Sequence, residues 1–298
     1  DYDTWLESHK PFHWLAEFYE IIHDRGGFDV IIGNPPYVEY NAKIKAIYNI
    51  GEYATLECGN LHAFIAERSF NISSPNACIG LIVPLPSIST ARMLSLQRLV
   101  KPNVKDSGRN IWISAYDERP SSLFSGVDQR LIIEIFGRKC VLPNIFSTGI
   151  LRWASATRNN LFPTIFYTKQ SKSYISFTES ILKVQSDAVE SVLLSRFLKN
   201  HPILQVKSNL VTENAVYYRT AGGRYWKVFL NTPIGTGTLS EKAAYFNNLS
   251  NLQAIALLSS STFWWYYSCH FDMYNLKDYM IFGFRFSNAS KDILNRLA

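Results

Sequence analysis

A side-chain amide, two prolines and a phenol follow directly on a short apolar run in Phe28-Asp29-Val30-Ile31-Ile32-Gly33-Asn34-Pro35-Pro36-Tyr37. The order reads as a buried strand, a tight turn and a polar group at the strand's carboxyl end, where open α/β sheets place their ligands. Asn34 offers a side-chain oxygen and Pro35 its carbonyl, so the turn can accept both N–H bonds of one amino group. Proline fixes φ and has no backbone donor, which leaves the turn stiff and its acceptors uncontested. Tyr37 adds a flat face on which a planar ring could stack. This chemistry suits methylation of an amino nitrogen whose lone pair is tied up in a conjugated system. Drawing on both of its protons pushes electron density onto that nitrogen and favours a pyramidal geometry.

Holding such a turn requires a sheet beneath it and helices beside it. Trp14, Leu15, Phe18, Ile21 and Ile22 fall at helical spacing after Phe12-His13, and Gly26-Gly27 closes that stretch before the strand. Downstream, Asn60-Leu61-His62-Ala63-Phe64 opens a second helical pattern through Glu67 and Ile72. A buried strand over Cys78–Pro84, a helix near 91–100, a strand over Ile111–Tyr116, the segment Leu123–Arg130 and a final strand over Leu131–Phe136 complete the run. Strands alternating with helical patterns predict a βαβ arrangement and a mainly parallel sheet.

The turn and this order resemble the catalytic part of gamma-class DNA adenine-N6 methyltransferases of restriction–modification systems. The resemblance is closest to the fused, type IIG-like enzymes that carry nuclease, methyltransferase and specificity region in one chain. It is strong over most of residues 11–140 and weaker beyond. It implies a catalytic role for Asn34, Pro35, Pro36 and Tyr37, with Asn34 and Pro35 also against S-adenosylmethionine, the methyl donor. An adenine N6 cannot be reached inside the stack, so the base must leave the duplex. The resemblance then assigns base stacking to Tyr37 and to Phe124, which precedes the last strand. It also implies a target-recognition domain after the catalytic part.

Charge divides the chain in the same place. Residues 1–140 hold 14 Lys and Arg against 16 Asp and Glu, and residues 141–298 hold 16 against 8. Phosphate neutralisation supplies much of the affinity for nucleic acid, so the basic second part is the expected holder of double-stranded DNA. The fold expected is therefore α/β: a partial Rossmann-like methyltransferase sheet over 1–140, its N-terminal strands missing, followed by an α+β target-recognition domain over 141–298. Arg219, Arg224 and Lys227 interleave with Tyr217, Tyr218, Tyr225 and Trp226, as groove and single-strand binders often do. With Arg152, the residues Tyr218, Arg219, Arg224, Trp226 and Lys227 are the DNA-contact candidates. Trp264-Trp265-Tyr266-Tyr267 reads as core, and residues 179–199 form the best helical pattern of this part.

Other features exclude more than they suggest. At 298 residues and 47% hydrophobic content the chain can build ample core, and disordered and fibrous classes are excluded. The longest apolar runs are too short to span a bilayer and no signal peptide opens the chain. Cys58, Cys78, Cys140 and Cys269 share no metal-ligand spacing, so no metal is expected and a reduced, cytoplasmic protein is. His13 and His23 lack catalytic partners, Gly235-Thr236-Gly237 lacks the strand and helix of a phosphate loop, and Glu179–Lys183 lacks the carboxylate pattern of a nuclease. A glycine-rich loop that lets backbone approach the cofactor is also missing, because only some 28 residues precede the catalytic strand. We therefore expect a C-terminal piece of a larger protein, inactive alone, whose partner is the missing N-terminal part. Two alternatives stay open: a non-catalytic DNA-recognition module and a protein glutamine N5-methyltransferase.

Overall fold

The structure, a computed structural model, describes residues 1–10, 12–47, 49–101, 107–170, 180–186, 192–193, 195–197, 199–202, 207–211, 213–222, 227–286 and 296. A helix over Trp14–Glu17 continues into a wider π turn over Glu20–Asp24. It stops where Gly27 takes φ +121° and passes so close to the neighbouring chain that a Cβ there would lie 2.6 Å from the Ile72 carbonyl oxygen. Only glycine fits that crossing. Strand β1 (Phe28–Gly33) starts at once, followed by the helix Leu61–Asn71, β2 (Ser73–Pro84), the helix Leu94–Val100, β3 (Ser107–Tyr116), β4 (Leu131–Val141), β5 (Ile145–Leu151) and β6 (Thr168–Lys169).

These strands form one six-stranded sheet in the order β1-β2-β4-β3-β5-β6. β1 runs parallel to β2 and β3 parallel to β5, whereas β4 is antiparallel to both β2 and β3, and β6 to β5. The expected mainly parallel sheet is thus a mixed one. The cause is local: no crossover helix separates β3 from β4, so the chain returns beside itself with Tyr116 opposite Leu131. The sheet also runs past residue 140, since β5 and β6 continue it.

A second correction concerns β1 itself. Among the described residues it pairs only with β2, and Val30 and Ile32 are 62% and 83% exposed. In place of the expected buried strand, β1 is an edge strand among the described residues, with one face uncovered. Ile31, on the opposite face, packs partly buried against the main core of Ile79, Leu81, Val83, Leu96, Ile111, Ile113, Ile132 and Phe136.

Glu134 lies inside this sheet, in register with Leu81 and Ile113, and is 1% exposed. Burial pushes its carboxyl up to about 8 from the ordinary 4.5. The native state keeps this proton while an unfolded chain releases it, so this group's contribution to stability falls as pH rises from about 4.5 to about 8. Glu134→Gln should remove that slope. Urea midpoints at pH 5 and pH 8 would read it, and an unchanged pH dependence in the variant would refute the assignment.

A second core gathers described residues from Phe197 onward. β7 (His201–Pro202), β8 (Ala215–Arg219), β9 (Phe229–Leu230), β10 (Glu241–Tyr245) and β11 (Arg285–Phe286) form a three-stranded antiparallel sheet, β10-β8-β9, and a pair, β11-β7. Helices Asn251–Leu258, Ser261–His270 and Asp278–Phe282 join them around Val216, Tyr218, Phe229, Phe246, Phe263, Tyr267 and Phe284. Trp264 and Trp265 pack partly buried on this core, and Ile150 of β5 touches both cores. The helix expected over 179–199 is present at the described residues 192–193, 195–197 and 199 but not at 181–186, which form no regular element. There Ile181 donates to the Ile88 carbonyl, Lys183 to the Cys269 carbonyl and Val184 to the Ser147 hydroxyl. A backbone satisfied by such neighbours has no need of a helix.

Candidate active site

The carboxyl ends of β1, β2, β3 and β5 meet the start of β4 at one end of the sheet. Asn34 is exposed there, Pro35 buried, Pro36 exposed and Tyr37 half-buried. The Tyr37 hydroxyl lies 2.6 Å from Asn34 Oδ1 and 3.1 Å from the Ile82 carbonyl oxygen, with both as acceptors. Burial lifts the phenol to about 12, so it keeps its proton and acts as donor. One lone pair of Asn34 Oδ1 is thereby held by the phenol. The other stays available to an incoming N–H.

The chain after the turn is clamped to the helix behind it. Tyr40 donates to the Gly59 carbonyl and Leu61 to the Val38 carbonyl. Asn60, the N-cap of helix Leu61–Asn71, receives the His62 backbone N–H at 3.3 Å and gives its amide to Glu39 at 3.3 Å. His62 is buried, with Nδ1 2.6 Å from Asn60 Oδ1 and Nε2 3.0 Å from Ser87 Oγ. Burial lowers the imidazole to about 4, so it is neutral, with Nδ1 donating and Nε2 accepting. Its ring meets Tyr37 edge to face, centroids 6.3 Å apart. Arg92 closes the group with a two-pronged bond to Glu39, holding that carboxyl below its usual range. The helix start at Asn60 was legible in sequence; the Glu39–Arg92 pair was not.

Tyr37 and Phe124 both pack against the small cluster of Tyr116, Leu123, Leu131, Trp153 and Leu161. They line separate clefts. Tyr37 borders one of about 400 Å³ with Glu39, His62, Arg92, Asp272 and Lys277. Phe124 borders one of about 560 Å³ formed by the β3–β4 connection together with Ser155 and Arg158. Beneath them Asp117 binds two guanidinium groups, Arg130 Nε at 2.9 Å and Arg152 Nε at 2.6 Å. Arg130 is 1% exposed and stacks on Tyr274, tying the sheet to the second core.

Two of the six expected DNA contacts are buried. Tyr218 is 0% exposed, donating to Asp278. Lys227 is 4% exposed, its Nζ donating to the Gly222 and Tyr274 carbonyls. Neither side chain reaches solvent, so both are corrected to structural residues. Arg152 is held by Asp117 with its side chain 40% exposed. Arg219 is exposed, 3.4 Å from Ser240 Oγ; Arg224 and Trp226 lie outside the described residues. Among the described residues no group of three or more His, Cys, Asp or Glu could hold a metal ion, and no helix is long and apolar enough to cross a membrane.

Fold and site together define a mixed α/β protein with an amide-bearing turn at the end of an edge strand. Residues 2–106, which contain that turn and the clamp behind it, match the Eco57I restriction-modification methylase family. No curated protein matches the chain. Among solved structures, one described as a class I S-adenosylmethionine-dependent methyltransferase from Listeria monocytogenes is 17% identical, with a TM-score of 0.30 over 46% of this chain and 40% of that one. A modification subunit described as that of a type I restriction enzyme from Vibrio vulnificus YJ016 is 15% identical, with a TM-score of 0.35 over 55% and 36%. The type IIG restriction endonuclease BpuSI is 14% identical, with a TM-score of 0.35 over 66% and 25%. These likenesses are partial, and the chain spans at most 40% of the length of any of the three.

Proposed function

We propose that this chain is the catalytic-turn and DNA-holding part of a restriction–modification enzyme that methylates the N6 of adenine in double-stranded DNA. The observation that carries the proposal is the exposed Asn34 amide, its oxygen aimed by the Tyr37 phenol at the end of β1. An extruded adenine would give one N–H to Asn34 Oδ1 and the other to the Pro35 carbonyl, its ring lying on Tyr37. Phe124, on the other side of the shared cluster, would support the base as it leaves the duplex. Exposed Arg219 and the basic balance of residues 141–298 would hold phosphates.

S-adenosylmethionine fits this chain at its reacting end only. Asn34 and Pro35 would border its sulfonium, and when bound it supplies the methyl group. Among the described residues no glycine-rich loop follows a strand to take the rest of the molecule. The bare edge of β1 supports further strands of the same protein pairing there and completing that site.

On the complete enzyme, Phe124→Ala should weaken capture of the flipped base by about 1–3 kcal/mol, the worth of one stacking contact. Fluorescence of 2-aminopurine at the target position would measure it, and an unchanged signal would remove Phe124 from the site. The decisive assay is methyl transfer from labelled cofactor to adenine-containing duplexes. Label found instead on a glutamine amide of a protein would replace adenine as the substrate.

A further inference from the structure

Gln129 and Asn275 bring two carboxamides to the cleft of about 400 Å³ beside Tyr37. Of the other polar groups there, Glu39 and Arg92 are engaged with each other, and His62 with Asn60 and Ser87. Among the described residues neither amide has a hydrogen-bond partner. Gln129 is half-buried and Asn275 exposed, so both can meet what enters. Their backbones are pinned alongside. Arg130 donates its N–H to the Tyr274 hydroxyl at 2.5 Å, and its carbonyl receives the Leu85 N–H at 2.9 Å. Tyr274 donates to Asp272, and Leu276, 0% exposed, donates to the Thr220 carbonyl at 2.8 Å. The bond from Arg130 to Tyr274 therefore joins the residue after Gln129 to the residue before Asn275, and sets the spacing of the two amides. Asn275 keeps a negative φ and makes no side-chain bond to its own turn, so the backbone does not call for asparagine.

We propose that Gln129 and Asn275 determine specificity for the extruded base, their carboxamides donating to ring nitrogens of an adenine seated in this cleft. The inference rests on the methyl-transfer reading of the turn and extends it. In that reading Asn34 and Pro35 take both N–H bonds of N6, which leaves N1, N3 and N7 of the purine as acceptors without donors. A carboxamide supplies two N–H donors and carries no charge whose burial would cost free energy. The cleft's volume falls within the roughly 300–1,000 Å³ of small-molecule sites. A cytosine with its amino group on the same turn would place its ring nitrogen and carbonyl elsewhere. Donors held at a spacing suited to a purine would be left unpaired by it, and that discriminates against it.

Fluorescence anisotropy on the chain itself tests this with single strands that are abasic except at one position. That position carries adenine, cytosine, or adenine lacking N1, N3 or N7, and a wholly abasic strand is the reference. The base is already unstacked, so no recognition sequence is needed. The wild type should bind the adenine strand more tightly than the cytosine or abasic strand, and at least one ring-nitrogen deletion should weaken it about three- to tenfold, the worth of one hydrogen bond. Gln129→Leu and Asn275→Leu should each lose a similar factor on the adenine strand and nothing on the abasic one. Each should also become insensitive to the ring nitrogen it served. Adenine affinity retained in either variant, or an equal loss on the abasic strand, overturns the assignment. Tyr37→Ala separates the two readings. If it abolishes base-dependent binding while both amide variants keep it, the specificity role falls and the turn's role stands; a wild type indifferent to the base sinks both.

Discussion

Asn34→Ala in the complete enzyme should lower kcat for methyl transfer by at least about 10²–10³-fold, the usual loss when one aimed polar group is removed from a reacting centre. DNA affinity should stay nearly unchanged, since Asn34 sits at the end of β1 and holds no phosphate in the proposed mechanism. The carboxamide is aimed before any substrate arrives: the phenol 2.6 Å away fixes its oxygen, and the buried Pro35 fixes the backbone that carries it. Tyr37→Phe separates aiming from stacking. It keeps the ring and loses the bond, so turnover should drop less than for Asn34→Ala while base capture holds. Single-turnover rates with matched binding isotherms would measure both, and normal turnover in Asn34→Ala would end the assigned chemistry.

Asp117→Ala should be among the most destabilising single changes in the chain. Asp117 is 2% exposed and receives Arg130, itself 1% exposed. Removing the carboxylate leaves a buried guanidinium without that counter-charge, which typically costs about 3–5 kcal/mol. Arg152, on the other carboxylate oxygen, has its side chain 40% exposed. Solvent screens it, so Arg152→Gln should cost under about 1 kcal/mol. Urea unfolding of the two variants tests the contrast. Equal losses would mean that exposure, and not the shared carboxylate, has been misjudged. The pair also bears on the site, because Arg130 joins the start of β4 to Tyr274 and the Asp272 carbonyl.

The strand and the turn after it were legible in sequence because their signal is local. An apolar run, a glycine and two prolines within ten residues specify strand and turn without reference to anything distant. The helix opening at Asn60 was visible for the same reason, its cap lying next to its first turn. Sheet order was not local. Which strand neighbours β1, and that β4 returns antiparallel beside β3, depends on contacts that residue spacing does not encode. The salt bridge from Glu39 to Arg92 and the Asp117 pairs were hidden similarly. The burial of Tyr218 departs from expectation for another reason. Aromatic and cationic residues interleave around it as at a nucleic-acid surface, but Val216 and Tyr218 alternate inward on β8 at 0% exposure, while Arg219 faces out. Alternation along the strand was the better guide.

The unclaimed rim of β1 has a practical consequence for anyone producing this chain. A strand whose outer edge no described strand pairs, beside bare valine and isoleucine, is a template for its own kind. Two copies could zip together there, and concentrated solutions should cloud on warming before the cores melt. A lysine at position 32 would blunt that tendency and leave the turn at residue 34 intact.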